Sequence, residues 1–157
     1  MVHISRNLAI IVALLGVVGI IMGGVFIGLG VARDNELKEA MRTEHVILGI
    51  EDAETGGLVI DSLEEAKKAG DTIREHRRGI AVTYEDLLGG ERFDPTSPKH
   101  LTYAQAMNLE NYLYLAVVAF GLTQSVIASG VFMVITGIAL GATGLVLLGL
   151  SRALQHA

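Results

Sequence analysis

Two stretches of the chain contain no Asp, Glu, Lys or Arg: Asn7–Ala32 and Leu113–Leu150. Between them, charged side chains recur every few residues. A spanning helix needs about 20 apolar residues, rising roughly 1.5 Å each, to cross a ~30 Å hydrocarbon core. Asn7–Ala32 meets that length and exceeds the 7–15 apolar residues of a cleavable leader. It is therefore read as an uncleaved anchor, although Leu29-Gly-Val-Ala32 is a small-residue step that a leader peptidase accepts. As one helix, Leu113–Leu150 would measure about 57 Å, nearly twice the core. The alternative is a hairpin of two spans of about 17 residues each, at the lower limit for crossing. No Pro, Asn or Asp interrupts the run, so the turn chemistry of a reversal is missing. One long helix containing the second span is expected.

The segment between the apolar runs predicts a small α+β insert. Arg33–Arg42 has good helix formers and extends the first helix by two or three turns. His45–Ile50 and Gly57–Ile60 are β-prone runs separated by the turn-rich Glu51–Gly56, the pattern of a short hairpin. Ser62-Leu-Glu-Glu65 reads as a capping box opening a helix to about Arg78, with Gly79 ending it. Thr83-Tyr-Glu-Asp86 starts a short helix that Gly89-Gly90 stops. Glu91–His100, with Pro95 and Pro98, reads as loop. Thr102-Tyr-Ala-Gln105 is a further capping box, so the last helix is expected to start near Tyr103. The fold class is thus mainly α, with two transmembrane helices, the second continuing beyond the membrane, and a small hairpin-containing insert. The boundaries are residues 1–6 (tail), 7–32 (first span), 33–112 (insert), 113–150 (long apolar helix) and 151–157 (tail).

Charge sharpens this picture. All 17 acidic residues lie between Arg33 and Asn111, against ten of the 12 basic ones, so the insert is acidic and nucleic acid is excluded as a partner. Arg6 and Arg152 flank the apolar runs. By the positive-inside rule both tails face the cytoplasm and the insert is extracytoplasmic. A single second helix leaves some of its apolar residues outside the hydrocarbon, since tilt absorbs only part of the mismatch. That surplus falls at Leu113–Gln124. Leu113, Leu115, Val118, Leu122 and Gln124 are the candidate contacts for protein that covers it. The insert has too few large apolar residues for an independent core, and with no cysteines it has no disulfide staple.

Glycine spacing supplies the second candidate surface. Gly16, Gly23 and Gly30 are seven apart, as are Gly130, Gly137 and Gly144. Gly19/Gly23, Gly24/Gly28 and Gly137/Gly141 are small-xxx-small pairs, which let two backbones approach closely. Ser129, Thr136 and Thr143 flank the second stripe, where they can hydrogen-bond across an interface. Thr123-Gln-Ser125 is the only strongly polar step in the long run, and interhelical hydrogen bonding explains it.

Catalytic signatures are absent. No GxxxxGK[ST], HExxH, GxSxG or GxGxxG occurs. Glu44-His45 with Glu51-Asp52, and Glu75-His76, fit no metal-ligand spacing. No cofactor, metal or catalytic residue is expected, and the chain is read as not an enzyme. Arg74, Arg77 and Arg78 suit the negative end of their helix as a solvated face, the alternative being docking to an acidic partner or headgroup.

The order of features resembles a known family. After the anchor comes Ala66-Lys-Lys-Ala-Gly-Asp-Thr-Ile-Arg-Glu-His76, then Gly79 leading to Thr83-Tyr-Glu-Asp-Leu87. Asp94-Pro95 follows, and last the helix entering through Leu109–Gly121. This resembles a family of small, uncharacterised bacterial two-span membrane proteins often labelled "aromatic ring-opening dioxygenase". An extradiol dioxygenase requires two His and one carboxylate around iron, and the insert offers no such arrangement. The resemblance implies architecture and a bacterial plasma-membrane location, not a reaction. The expected function is a non-catalytic membrane protein that assembles through glycine-striped helices. It would serve as an accessory or scaffolding subunit of a membrane complex, or as a homo-oligomer. Its expected partners are the lipid bilayer and other membrane chains or copies of itself. The alternative is a membrane-anchored sensor whose acidic insert binds a ligand.

Overall fold

A computed structural model describes residues 6–44 and 59–153. Among these residues there are four helices: α1 (Arg6–Thr43), α2 (Leu63–Ile80), α3 (Tyr84–Leu88) and α4 (Pro98–Ala153). α1 and α4 are each long and apolar enough to cross a membrane. Only 11% of the most apolar stretch of either helix is buried within the chain, whereas the core helix of a soluble protein would be mostly buried. α4 runs through 113–150 without a reversal.

The expected hairpin is not seen. Among the described residues there is no β-strand, and the class is helical. Most of the two β-prone runs, residues 45–58, lies outside the described residues. At the described end of the second run, Val59 makes only an isolated β-bridge and Ile60 lies in no strand. The physical reason is visible at Ile60. Its side chain is buried against Ala66, Ala69 and Leu113, so its apolar surface is used against helices. A lone two-stranded hairpin is marginal without such backing.

The helix boundaries follow from local chemistry. At α2, the Ser62 hydroxyl accepts from the Glu65 backbone N–H at 3.2 Å, while the Glu65 carboxylate accepts from the Asp61 N–H. Gly79 lies inside α2, which ends two residues past the expected Arg78. In α3 the Thr83 hydroxyl and Asp86 carboxylate cap each other's backbone, and Gly89 ends the helix in the left-handed region at φ 56°. α4 starts at Pro98, five residues before the expected Tyr103. Ser97 caps it, its carbonyl accepting from Leu101 N–H at 3.0 Å and its hydroxyl facing His100 N–H. Proline fits the first helical turn because its missing N–H has no partner there. Thr102 instead donates to the Pro98 carbonyl, within the helix.

The chain divides into two compact units. One combines α1 up to Asp34 with α4 from Thr123. The other spans Asn35–Leu122 and holds the rest of α1, α2, α3 and the start of α4. In the second unit, Met41, Ile73, Ala116 and Val117 pack around the small core of Ile60, Ala66, Ala69 and Leu113.

Candidate interaction surfaces

Within the apolar unit, α1 and α4 meet along small residues. A methyl built on Gly16 would lie 2.6 Å from the Gly137 carbonyl oxygen, and one on Gly23 equally close to that of Gly130. Reciprocally, a methyl on Gly130 or Gly137 would lie 2.7 Å from the carbonyl of Gly23 or Gly16. Gly30 faces Ile127, Gly144 faces Ala13, and Gly19 faces Gly137 at a looser 3.1 Å. Low numbers pair with high ones, so the two segments are antiparallel. Backbone touches backbone at distances that any side chain would break.

Not every glycine of the two runs lies in this contact. Nothing lies within 4 Å of a methyl placed on Gly24, Gly28 or Gly141, although the Gly141 backbone itself touches Gly16. Two buried residues extend the seven-residue spacing at its ends: Ala9 before Gly16, and Ser151 after Gly144. Neither was singled out in the sequence, yet each sits one heptad beyond a glycine. The flanking hydroxyls behave differently from expectation. Ser129 and Thr143 donate to the carbonyls of Ser125 and Ala139, in their own helix, at 2.8 Å. Thr123 does bridge the two helices, donating to the Asp34 carboxylate at 3.1 Å. That pairing sets Arg33 and Asp34, the first charges of α1 after its opening Arg6, level with the polar step of α4.

In the other unit, α2 is fixed to α4 by a partly buried ion cluster. Glu110 accepts from Arg74 Nε at 3.0 Å and from Arg77 Nε at 2.7 Å. Arg77 also donates to the Tyr103 hydroxyl at 2.6 Å and lies over its ring. Arg74 lies over the Tyr114 ring, whose hydroxyl donates to Asp71. Tyr103 also meets Tyr84 of α3, ring centroids 6.2 Å apart. Burial pushes the Glu110 carboxyl up, but Arg77 and Arg74 outweigh it and hold the group below the usual carboxylate range. Burial and the bond to Asp71 push the Tyr114 hydroxyl up to about 12. Arg74 and Arg77 therefore serve an internal pairing, not the solvated face expected of them; Arg78 alone of the three is exposed. Gly70 permits the close approach of α2, since a methyl there would lie 3.3 Å from the Tyr114 ring.

The candidate partner contacts divide. Leu113 faces inward, 4% exposed, in the core of its unit. Leu115, Val118 and Leu122 face outward at 66%, 57% and 62% exposure, and Gln124 is also exposed. Tyr112 is more exposed still.

Conventional site chemistry is sparse. Among the described residues no three His, Asp or Glu side chains gather to hold a metal. His76 is exposed, and His45 lies outside the described residues. His100 accepts from the Asp94 N–H through Nδ1 and stacks on Phe93, which ties the loop before α4 to the helix. Asp94 in turn accepts from the Thr96 hydroxyl and N–H, which hold its carboxyl below the usual range. The chain matches no protein-family model, no curated protein and no solved structure.

Proposed function

We propose that this chain is a non-catalytic integral membrane protein that assembles with other membrane chains, as an accessory subunit or as a homo-oligomer. The observation that carries the reading is the outward apolar face of Leu115, Val118 and Leu122. The Asp34–Thr123 pairing lies where α1 stops being apolar, and in this reading the hydrocarbon ends there. The ten α4 residues before Thr123 then lie outside it, so lipid does not cover them. Apolar side chains left in water at this density mark a protein contact.

In this reading the α1–α4 glycine contact holds the two spans together, and the small unit of residues 35–122 presents the exposed face. Arg6 and Arg152, flanking the two spans, support a topology with both ends in the cytoplasm and the acidic unit outside. A bacterial plasma membrane is the location that the family resemblance implies. The test is native mass analysis of gently solubilised membranes. The expected result is an assembly heavier than the 16.7 kDa chain. Monomer alone across mild detergents and nanodiscs would overturn the reading.

A further inference from the structure

The outward side of α4 carries a regular pattern. Leu101, Asn108, Leu115 and Leu122 recur every seven residues, with Gln105 and Tyr112 interleaved at the complementary positions four residues on. All six are exposed, and all lie in the Asn35–Leu122 unit. The opposite side of the same helix, bearing Tyr103, Glu110, Leu113 and Phe120, is already buried. From Leu101 to Leu122 the only charged residue is Glu110, and Arg74 and Arg77 occupy it.

We propose that this seam pairs with the same seam of a second copy, as a parallel two-stranded coiled coil about three heptads long. The proposal rests on the membrane reading above and names its partner. Anchoring in one bilayer orients two copies alike, so their α4 helices meet in parallel and each residue faces its own counterpart. An in-register pairing of that kind tolerates no charge on the seam, since every charge would meet itself. This seam has none. Leucine at the d positions, here 101, 115 and 122, supplies the apolar knobs of such a seam. The polar positions agree with self-pairing. A carboxamide is both donor and acceptor, so Asn108 and Gln105 satisfy themselves across a two-fold axis. Against an apolar partner they would be left buried and unpaired. A buried amide at an a position, here Gln105, fixes register at some cost in stability.

The test uses the full chain in its membrane and its lack of native cysteine. Single substitutions Asn108→Cys, Leu115→Cys and Leu122→Cys are expected to cross-link under mild oxidation to a species of twice the mass. Lys68→Cys, exposed on α2, is expected not to. Leu115→Glu and Leu115→Arg are each expected to abolish the dimer when expressed alone, and co-expression to restore a mixed dimer. Restoration requires residue 115 of one copy to face residue 115 of another, which lipid or an unrelated partner does not provide. A heavier-than-monomer assembly without seam cross-links, or without rescue by the mixed pair, overturns the second-copy proposal alone. A wild-type chain that is only monomeric overturns the assembly reading as well.

Discussion

Adding one methyl at Gly23 tests the packing of the two apolar helices. A Cβ there would sit 2.6 Å from the Gly130 carbonyl oxygen and 2.8 Å from the Val134 nitrogen, where ordinary contact begins at 3.4 Å. The neighbour is backbone, so the helices must part by about 0.8 Å along a seam that carries several glycines. Overfilling a packed contact costs about 1–3 kcal/mol. Gly→Ala also favours helix by about 1 kcal/mol, which partly conceals the clash. Gly28→Ala separates the two effects, because it gains the same propensity and nothing lies within 4 Å of it. The difference between Gly23→Ala and Gly28→Ala is therefore expected to be about 1–3 kcal/mol, or roughly 5- to 150-fold in the unfolding equilibrium. Exposed Ile11 and Val146, changed to Cys, accept a dye pair. Energy transfer during SDS titration in mixed micelles then reports separation of the helices. Equal midpoints for the two alanine variants would refute the close-contact reasoning.

Other outcomes follow from the ion cluster and the caps. Glu110→Gln removes the charge that two arginines share and is expected to cost about 1.5–3 kcal/mol, read by thermal loss of helix in the circular dichroism of the purified chain. Because Glu110 is held below the usual carboxylate range, its pairing contributes fully above the unfolded-state value near 4.5. That contribution is lost as pH falls through the lower folded value, so stability is expected to decline in acid, and Glu110→Gln to flatten the decline. Tyr114 has the opposite sign. Its neutral form is favoured in the fold, so its contribution is complete below about 10 and lost as pH rises through about 12. One of the four tyrosines is expected to ionise last in ultraviolet titration, and Tyr114→Phe to remove that step. Ser97→Ala is expected to cost about 1 kcal/mol as loss of an N-cap, while Thr102→Ala is expected to change stability far less, as judged by the same melts.

The two long apolar helices were legible because uncharged apolar runs of that length are written directly in the residue types. The glycines were visible for the same reason, as gaps in an otherwise bulky run. Their partition was not. Gly23 and Gly24 are adjacent in sequence, and only the rotation of α1 against α4 decides that Gly23 is covered and Gly24 is open. The Glu110 cluster was hidden by distance, since its arginines lie 33 and 36 residues earlier in the chain. Read locally, Arg74 and Arg77 looked like dipole-matched surface charges. The one signal available was Glu110 itself, the last acidic residue of the chain, set beside an apolar run. At the start of α4 a strong capping pattern at Thr102 lost to Ser97-Pro98, where proline's fixed φ already prepares the first turn. The hairpin lies mostly outside the described residues; at its described end Val59 makes only an isolated bridge, and β-prone Ile60 finds apolar cover on helices.

The most direct test of the central claim is where Leu115 lies and what covers it. Single spin labels at positions 115, 132 and 145 of the bilayer-embedded chain can be compared for relaxation by oxygen, which partitions into lipid, and by a water-soluble nickel chelate. Phe132 and Leu145 are exposed on the apolar unit, and labels there are expected to respond strongly to oxygen. The label at 115 is expected to respond weakly to both agents, as a side chain outside the bilayer and under protein does. An oxygen response at 115 matching that at 132 would place it in lipid, and a strong nickel response would leave it bare in water. Either result would contradict a protein-covered helix face beyond the membrane.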